Sequence, residues 1–420
     1  MLTVVDKMKK RGLIQECTQG VEDIPQTDVV TVYAGFDPTA DSLHVGNLAV
    51  IMALSHFQRA GHKVLVVVGG ATGMVGDPSG KSEERKLLGP DEVSRNASCL
   101  KAQLSRFLSF EGDNPAVMLD NNDWISPMSF IDWLREVGKH FTVNSMLAKK
   151  SVAARIQSTE GISFTEFSYM TMQAFDFYHL FNEFNCTIQI GGNDQYGNIT
   201  AGIELLRKRC GKRAYGITIP LITTASGRKF GKSEGNAIWL DPRKTSPFHF
   251  YQFWINTSDQ DVERFLCLFT FLDIAFIKEV IEQHIKEPEK RLAQRLLARE
   301  VTGLVHGVKQ MKGAELLTKI LYQDDVPIIR DDQLEGLSQF VPVSTIEANP
   351  GPLDVVTLVH QAKVTASKSE ARRLIRQGGI SINRKRIANE RDTLCPEDTS
   401  KGRVIIIGRG KNRYHLVRFT

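Results

Sequence analysis

Val30-Thr31-Val32-Tyr33-Ala34-Gly35-Phe36-Asp37-Pro38-Thr39, followed closely by His44-Val45-Gly46-Asn47, is the stretch that decides the fold. An apolar, β-branched run that breaks at Gly and Asp-Pro reads as a buried strand entering a turn. A second apolar run, from Val64 to Gly69, is continuous rather than alternating, as in a strand covered on both faces. It ends in Gly69-Gly70-Ala71-Thr72-Gly73-Met74-Val75-Gly76-Asp77-Pro78-Ser79-Gly80-Lys81. This is not a Walker loop, because Gly80-Lys81-Ser82 would need a glycine where Val75 stands, so the glycines are expected to serve turning and close ligand approach, with Asp77 and Lys81 as the polar groups. Far downstream lies a lysine-rich glycine loop, Lys229-Phe230-Gly231-Lys232-Ser233. Alone, His44 reads as a hydrogen-bonded helix-start histidine and the lysine loop as a solvated basic turn. In this order, with the glycine loop between them, they suit a triphosphate attacked at its α-phosphorus, whose charge is neutralised in the transition state.

The 420 residues exceed one ordinary domain, and a hydrophobic content of 42% supports sizeable cores. Six cysteines are scattered without a CxxC pair or a His/Cys cluster, so neither a disulfide framework nor a zinc site is indicated. No apolar stretch reads as a signal peptide or reaches transmembrane length, and the expected setting is the cytoplasm, away from membranes, with a processed organellar protein as the alternative. Charge is uneven: residues 351–420 hold 15 Lys and Arg against 6 Asp and Glu, a net +9 within a chain of +5, which leaves the preceding residues at −4. A basic module on a mildly acidic body points to a polyanion partner, although any single lysine there can be a solvated surface charge.

From about Val29 to Leu221 apolar strand-like runs alternate with amphipathic helical stretches, as in a nucleotide-binding α/β sheet with parallel strands and a site at their carboxyl ends. Within it, residues 126–189 are more helical, with Phe130, Trp133, Leu134 and Val137 at helical spacing, a pattern that suits core packing. Residues 247–325 show helical patterning only, and the proline-containing stretch 326–352 reads as a linker. In the tail, Ser367-Lys368-Ser369-Glu370 is a capping-box candidate opening the basic helix Ala371-Arg372-Arg373-Leu374-Ile375-Arg376, which Gly378 ends before a strand, Ile380 to Asn383, and a basic turn, Arg384-Lys385-Arg386.

Tyr33 to Thr39, the His44-Val45-Gly46-Asn47 tetrapeptide, Gly76 to Lys81, Gly161 to Asp176, Gly191 to Asn198 and the lysine loop together resemble, in order, the bacterial-type tyrosyl-tRNA synthetases, class I enzymes, over essentially the whole chain. The resemblance implies a Rossmann-like α/β catalytic domain over 1–246, with a connecting insertion at 126–189 and a mobile lysine loop at 225–236. A helical domain for the anticodon region (247–325), the linker (326–352) and a small α+β module resembling the S-four-like RNA-binding domains (353–420) would follow. It implies ATP as substrate with accompanying magnesium, L-tyrosine and tyrosine tRNA as the other partners, and a homodimer formed through the insertion, where Phe164 matches an interface position. No tightly bound prosthetic group is implied.

The implied reaction joins tyrosine to the α-phosphorus of ATP without a protein nucleophile, so the residues that matter are donors and cations. Thr39 and His44 would meet the phosphates from one side, and Lys81, Arg85, Lys229 and Lys232 from the other. Tyr33 and Asp176 would bond the substrate phenol, with Asn121 in the same pocket; Asp77, Tyr169 and Gln173 would hold the ammonium group and Gln195 the carboxylate. Gly35, Asp37, Gly46, Asn47, Gly192 and Asp194 would meet the adenosine, with Asn47 standing where histidine is commoner. Lys368, Arg372, Arg376 and Arg384 would contact tRNA phosphates. A rival reading, an RNA-binding or splicing factor that kept the fold and lost catalysis, predicts erosion of His44, Lys81, Lys229 or Lys232, and all four are present. A tryptophanyl synthetase is disfavoured by the Tyr33 and Asp176 pair and the basic tail.

Overall fold

The Val-rich run at 64–68 is buried at every position, and around it forms a six-stranded sheet: β1 (Glu16–Cys17), β2 (Thr31–Phe36), β3 (Lys63–Val68), β4 (Val117–Asp120), β5 (Cys186–Gly192) and β6 (Tyr215–Ile219). The computed structural model describes residues 3–24, 28–79, 88–157, 161–225, 227, 232–233, 236–322, 334, 336–348, 351–395, 397, 404–410 and 413–420, with 232, 233 and 236 in backbone only. Two units emerge from the packing: residues 1–245 with 255–305, and residues 246–254 with 306–420.

In the first unit the strand order is β1-β6-β5-β2-β3-β4, parallel throughout except for β1, a short antiparallel edge on β6 that the sequence pattern does not announce. From β2 the sheet grows through β3 and β4 on one side and through β5 and β6 on the other. The carboxyl ends of β2 and β5 therefore flank the topological switch point, where a crevice opens in sheets of this type. Tyr33, Leu65, Val67, Phe177, Leu180 and Leu206 share one core against the sheet. Each such large apolar side chain contributes about 1.5–3 kcal/mol by leaving water.

The long helix Phe164–Phe184 starts where Ser163 accepts a hydrogen bond from the Glu166 N–H and stops at Asn185, whose φ of 50° turns the chain out of the helix. Its first turn is pinned by a buried ion pair, Arg155 Nη2 to Glu166 Oε2 at 2.8 Å, with Arg155 also donating to the Gly161 carbonyl. Core packing does not describe the whole insertion: Val137 is buried, yet Phe130 is 63% exposed and Leu134 is exposed too. The apolar spacing there marks an outward face as well as an inward one.

The stretch from 247 to 322 is helical, as its patterning predicts, but it is divided, residues 255–305 going with the first unit and 246–254 with 306–322 in the second. The second unit's sheet runs, in spatial order, Lys385–Arg386, Ile380–Ile382, Val404–Arg409, Arg413–Phe419 and Val343–Ile346. Val343–Ile346 lies inside the expected linker. Pro342, which has no N–H to give, sits just before this edge strand, where a missing donor costs least, so a proline that suggests a linker in fact starts a strand. Ser367 Oγ accepts from the Glu370 N–H as a cap should, but the Glu370 carboxylate reaches the Ala366 N–H rather than that of Ser367. Asn383 and Arg384, with φ of 45° and 68°, form the two-residue turn between Ile382 and Lys385.

Candidate active site

β2 delivers Tyr33 into the core and ends just before Asp37. The Tyr33 hydroxyl is buried, 1% of the residue being exposed, and makes no hydrogen bond with the described residues. Burial, followed by the nearby charge of Asp176, pushes its pKa well above the ordinary phenol value, so it stays a neutral donor or acceptor. Asp176 is just as deeply placed, on the helix Phe164–Phe184, and its oxygens accept from Asn121 Nδ2 at 3.1 Å and Trp124 Nε1 at 2.8 Å. Burial raises this carboxyl to about 7, against the opposing effect of those two N–H donors.

Asn121 continues the network. Its Nδ2 also donates to Thr72 Oγ1 at 2.9 Å, and its Oδ1 accepts from the Ala71 N–H, which fixes which end of the amide points where. The Thr72 hydroxyl donates to Asp37 Oδ1 at 2.7 Å, and the Tyr169 hydroxyl donates to Asp37 Oδ2 at 2.7 Å. Burial, then the adjacent Asp37 carboxylate, holds Tyr169 well above the usual phenol pKa. Asp37 and Tyr169, assigned to opposite parts of the substrate pair by the sequence reading, are thus directly hydrogen-bonded. Gly69 is small for the same reason: a Cβ there would collide with the Asp37 carboxylate and the Thr72 hydroxyl, so its close approach is to protein groups.

A second polar cluster joins Asp77, in the turn after the short helix Thr72–Val75, to the end of β5 and the helix Tyr196–Cys210. Gln195 Nε2 donates to Asp77 Oδ2 at 2.6 Å, and the Ser79 N–H donates to Asp77 Oδ1. Asn198 Nδ2 lies 3.0 Å from Gln173 Oε1 and 3.2 Å from Gln195 Oε1. Tyr169, Gln173 and Asp176 share one helix face, as their spacing predicts. Asp194 crowds Gly192 so closely that a Cβ would fall 2.5 Å from Asp194 Oδ1.

His44 caps the helix Val45–Arg59, and its N–H donates to Asn47 Oδ1 at 3.1 Å. Asn47 thereby uses its oxygen on the helix start and keeps its Nδ2 as the donor side. A side chain on Gly46 would put Cβ 2.8 Å from His44 Cε1, so the imidazole lies directly over this glycine. Gly35 and Thr39 are exposed at the carboxyl end of β2. Lys232–Ser233 pairs with Asn236–Ala237, and the chain that follows pairs with the start of the His44 helix: Val45 N–H donates to the Ile238 carbonyl and Leu240 N–H to the Leu43 carbonyl. Trp239 sits with its ring 6.0 Å from that of His44, and Lys244, ion-paired to Asp41, lies 4.9 Å over the indole. Lys81, Arg85 and Lys229 lie outside the described residues, and Lys232 is described in backbone only.

Reading the sequence alone missed Thr72, Asn198 and Trp239, and left Trp124 without a role. Asn198 alone carried a signal, as the last residue of the Gly191 to Asn198 block, one helical turn beyond Gln195. In the second unit, Lys368 and Arg372 stand exposed on the helix Lys368–Arg376, with Lys368 Nζ 3.1 Å from Thr357 Oγ1. Arg376 is forked onto the Glu390 carboxylate at 2.9 Å, and Arg384 donates to the Ile320 carbonyl at 3.3 Å.

A mostly parallel sheet with polar clusters at its switch point, and a histidine-capped helix paired to the segment that follows the lysine-rich sequence, define the class of class I aminoacyl-tRNA synthetases. Residues 26–323 match the family described as tRNA synthetases class I (W and Y), and residues 333–417 match the tyrosine–tRNA ligase SYY-like C-terminal domain. The chain is 48% identical over 423 residues to a tyrosine–tRNA ligase of Bacillus caldotenax and 45% identical over 422 residues to one of Roseiflexus castenholzii, with 100% of both chains covered in each case. A C-terminally truncated Aspergillus nidulans mitochondrial tyrosyl-tRNA synthetase is similar in structure, with a TM-score of 0.70 and 31% identity, over 77% of this chain and 95% of that one. The chain belongs to the tyrosine–tRNA ligase family.

Proposed function

We propose that this chain activates L-tyrosine with ATP, releasing pyrophosphate, and passes the tyrosyl group to the terminal adenosine of tyrosine tRNA. The observation that carries the amino-acid choice is the buried Tyr33 hydroxyl, without a hydrogen-bond partner among the described residues and electrostatically coupled to the buried Asp176 carboxyl. A substrate phenol offers both a donor and an acceptor and satisfies the pair, whereas phenylalanine would leave buried polar groups unpaired. Tyrosyl-tRNA synthetases are the standing example of such discrimination, so a strong preference for tyrosine over phenylalanine is a known property of the family and not a new prediction.

Tyr169, Gln173 and Asp77 would receive the ammonium group, with Gln195 turning an N–H toward the carboxylate that attacks the α-phosphorus. Asp37, by accepting from Tyr169, would orient that phenol, with the adenosine beside it at Gly35, Gly46, Asn47, Gly192 and Asp194. Thr39, His44, Lys81, Arg85, Lys229 and Lys232 would gather on the pyrophosphate as it leaves. Magnesium would arrive with the triphosphate; among the described residues no group of three or more His, Cys, Asp or Glu side chains gathers to hold a metal.

Lys368, Arg372, Arg376 and Arg384 would meet tRNA phosphates. Pairing as a homodimer is supported by the exposed apolar residues of the insertion, among them Phe130, Ile131, Val143 and Phe164, the last 70% exposed. The expected setting is the cytoplasm; no described helix is long and apolar enough to cross a membrane.

Amino-acid-dependent ATP–pyrophosphate exchange tests the reading. Tyrosine alone should support it strongly, and Tyr33→Phe should reduce the preference over phenylalanine by roughly 0.5–1.5 kcal/mol, the worth of one neutral hydrogen bond. Exchange driven equally by several amino acids, or equal loss for tyrosine and phenylalanine, would remove the assignment.

A further inference from the structure

Asn198 is 4% exposed and sits behind the groups proposed to receive the substrate's ammonium and carboxylate. Four oxygens surround its amide nitrogen: Gln173 Oε1 at 3.0 Å, Gln195 Oε1 at 3.2 Å, and Asp77 Oδ1 and Ser79 Oγ at 3.5 Å. An amide nitrogen has two hydrogens, so the two shorter contacts take them.

The polarity of this cluster follows from one group. The Asp77 carboxylate only accepts, so Gln195 must present its Nε2 there, at 2.6 Å. Its Oε1 must then face Asn198, which has to answer with Nδ2, and the second hydrogen of that nitrogen settles Gln173 with Oε1 inward. Two glutamines whose amides could otherwise rotate end for end are each held in one orientation. The backbone is built for this contact. Gly202 lies one turn after Asn198 and packs against Phe177, one turn after Gln173, where a Cβ would come within 3.0 Å of the ring. The two helices can therefore approach closely enough for the amides to meet.

We infer that Asn198 is a positioning residue for amino-acid binding: it braces Gln195 in the orientation that Asp77 dictates, leaving the second Nε2 hydrogen for the substrate carboxylate, and it fixes Gln173, whose Oε1 keeps its second lone pair for the substrate ammonium. The inference rests on the proposed tyrosine site and adds to it a residue that touches no substrate. It places the function of Asn198 at the amino-acid end of the pocket. The phenol end, held by Tyr33, Asp176, Asn121 and Trp124, does not use it.

Pyrophosphate exchange by the full chain and by Asn198→Ala, Asn198→Ser and Asn198→Asp separates the outcomes, with 4-methylphenol, which has neither ammonium nor carboxylate, as competing inhibitor. Loss of two neutral hydrogen bonds should raise the KM for tyrosine about 10-fold in Asn198→Ala. Asn198→Asp, equal in size but accepting where it must donate and placed beside Asp77, should raise it further, and Asn198→Ser, which keeps one donor, should recover part of the loss. The KM for ATP and inhibition by 4-methylphenol should not move. An unchanged KM for tyrosine, parallel losses for tyrosine, ATP and 4-methylphenol, or equal behaviour of the Asp and Ser variants would overturn the inference. Failure of the unaltered chain to exchange with tyrosine would instead overturn the proposed function.

Discussion

Asp176 lies in the core with both oxygens on N–H donors, while Arg372 stands exposed on a helix of the second unit. The two residues represent two ways of using polar side chains. In the crevice at β2 and β5 each buried polar group would cost about 1–3 kcal/mol if left unpaired, so apart from the Tyr33 hydroxyl, proposed to meet the substrate, the side chains are locked donor to acceptor and little can be exchanged singly. On the basic face, charges stay hydrated and act by number and rough placement. On the proposed function, recognition by polarity would belong to the first region and recognition by summed charge to the second.

The strongest way to break that contrast is to reverse the tail's charge in the full chain. Lys368→Glu, Arg372→Glu and Arg384→Glu combined should weaken tRNA binding by about a hundredfold at low salt and flatten its dependence on salt by roughly 0.7–0.9 per lost phosphate contact. Tyrosine-dependent pyrophosphate exchange should be unaffected. Binding that fell by the same factor at every salt concentration would mean that the face recognises shape or bases.

The crevice should respond to pH where the tail does not. Asp176 holds its proton up to about 7 when folded, against 3.8 for an ordinary aspartate, with burial as the main cause. Between those values the unfolded chain binds fewer protons than the folded one. The folded state therefore loses stability as pH rises through that window and loses no more from this group above it, a total of a few kcal/mol at about 1.4 kcal/mol per unit. Asp176→Asn should flatten the decline in denaturant midpoint between pH 4 and 7, and a slope identical to that of the unaltered chain would show that Asp176 ionises freely.

How far each region could be read from sequence follows from the same contrast. The shared helix face of Tyr169, Gln173 and Asp176 was legible from their spacing, although only the family resemblance singled them out, and Val64 to Val68 were legible because a run without polar residues has one structural use. Asn198 and Thr72 were not, because their partners come from separate segments that only the folded sheet gathers: the Asp77 turn, the long helix and the end of β5 for one, β2 and the chain after β4 for the other. Trp239 stayed hidden because its partner, His44, is reached through backbone pairing between 43–45 and 238–240, which leaves no side-chain pattern. In the tail, Pro342 masked the strand Val343–Ile346, while the basic helix and its glycine stop were plain. Net charge was visible there without the fold, but its pairing was not, and Glu390 gave no hint that it would hold Arg376.

A smaller effect sharpens the line inside the crevice. Gly46→Ala would bring Cβ within 2.8 Å of the His44 ring, which can turn aside without unfolding the helix start. Adenylate formation measured in a single turnover should slow about tenfold, a barrier change of about 1.4 kcal/mol, while tyrosine affinity stays level. A change in tyrosine affinity with an unaltered rate would separate His44 from the phosphate end.

The smallest effect is expected at Glu390, and it bears directly on what kind of surface the tail presents. Arg376 is paired to Glu390 at 2.9 Å, in a pair whose arginine is mostly exposed. Exposed pairs contribute about 0–1 kcal/mol, so Glu390→Gln should leave the unfolding midpoint nearly unchanged. Removing the carboxylate also removes a negative charge from the face and releases a guanidinium for phosphate, which should strengthen tRNA binding about two- to threefold at low salt, with the gain vanishing as salt rises. If binding weakened instead, the pair would be holding Arg376 in the one posture that RNA needs, and the tail would share the locked character of the crevice.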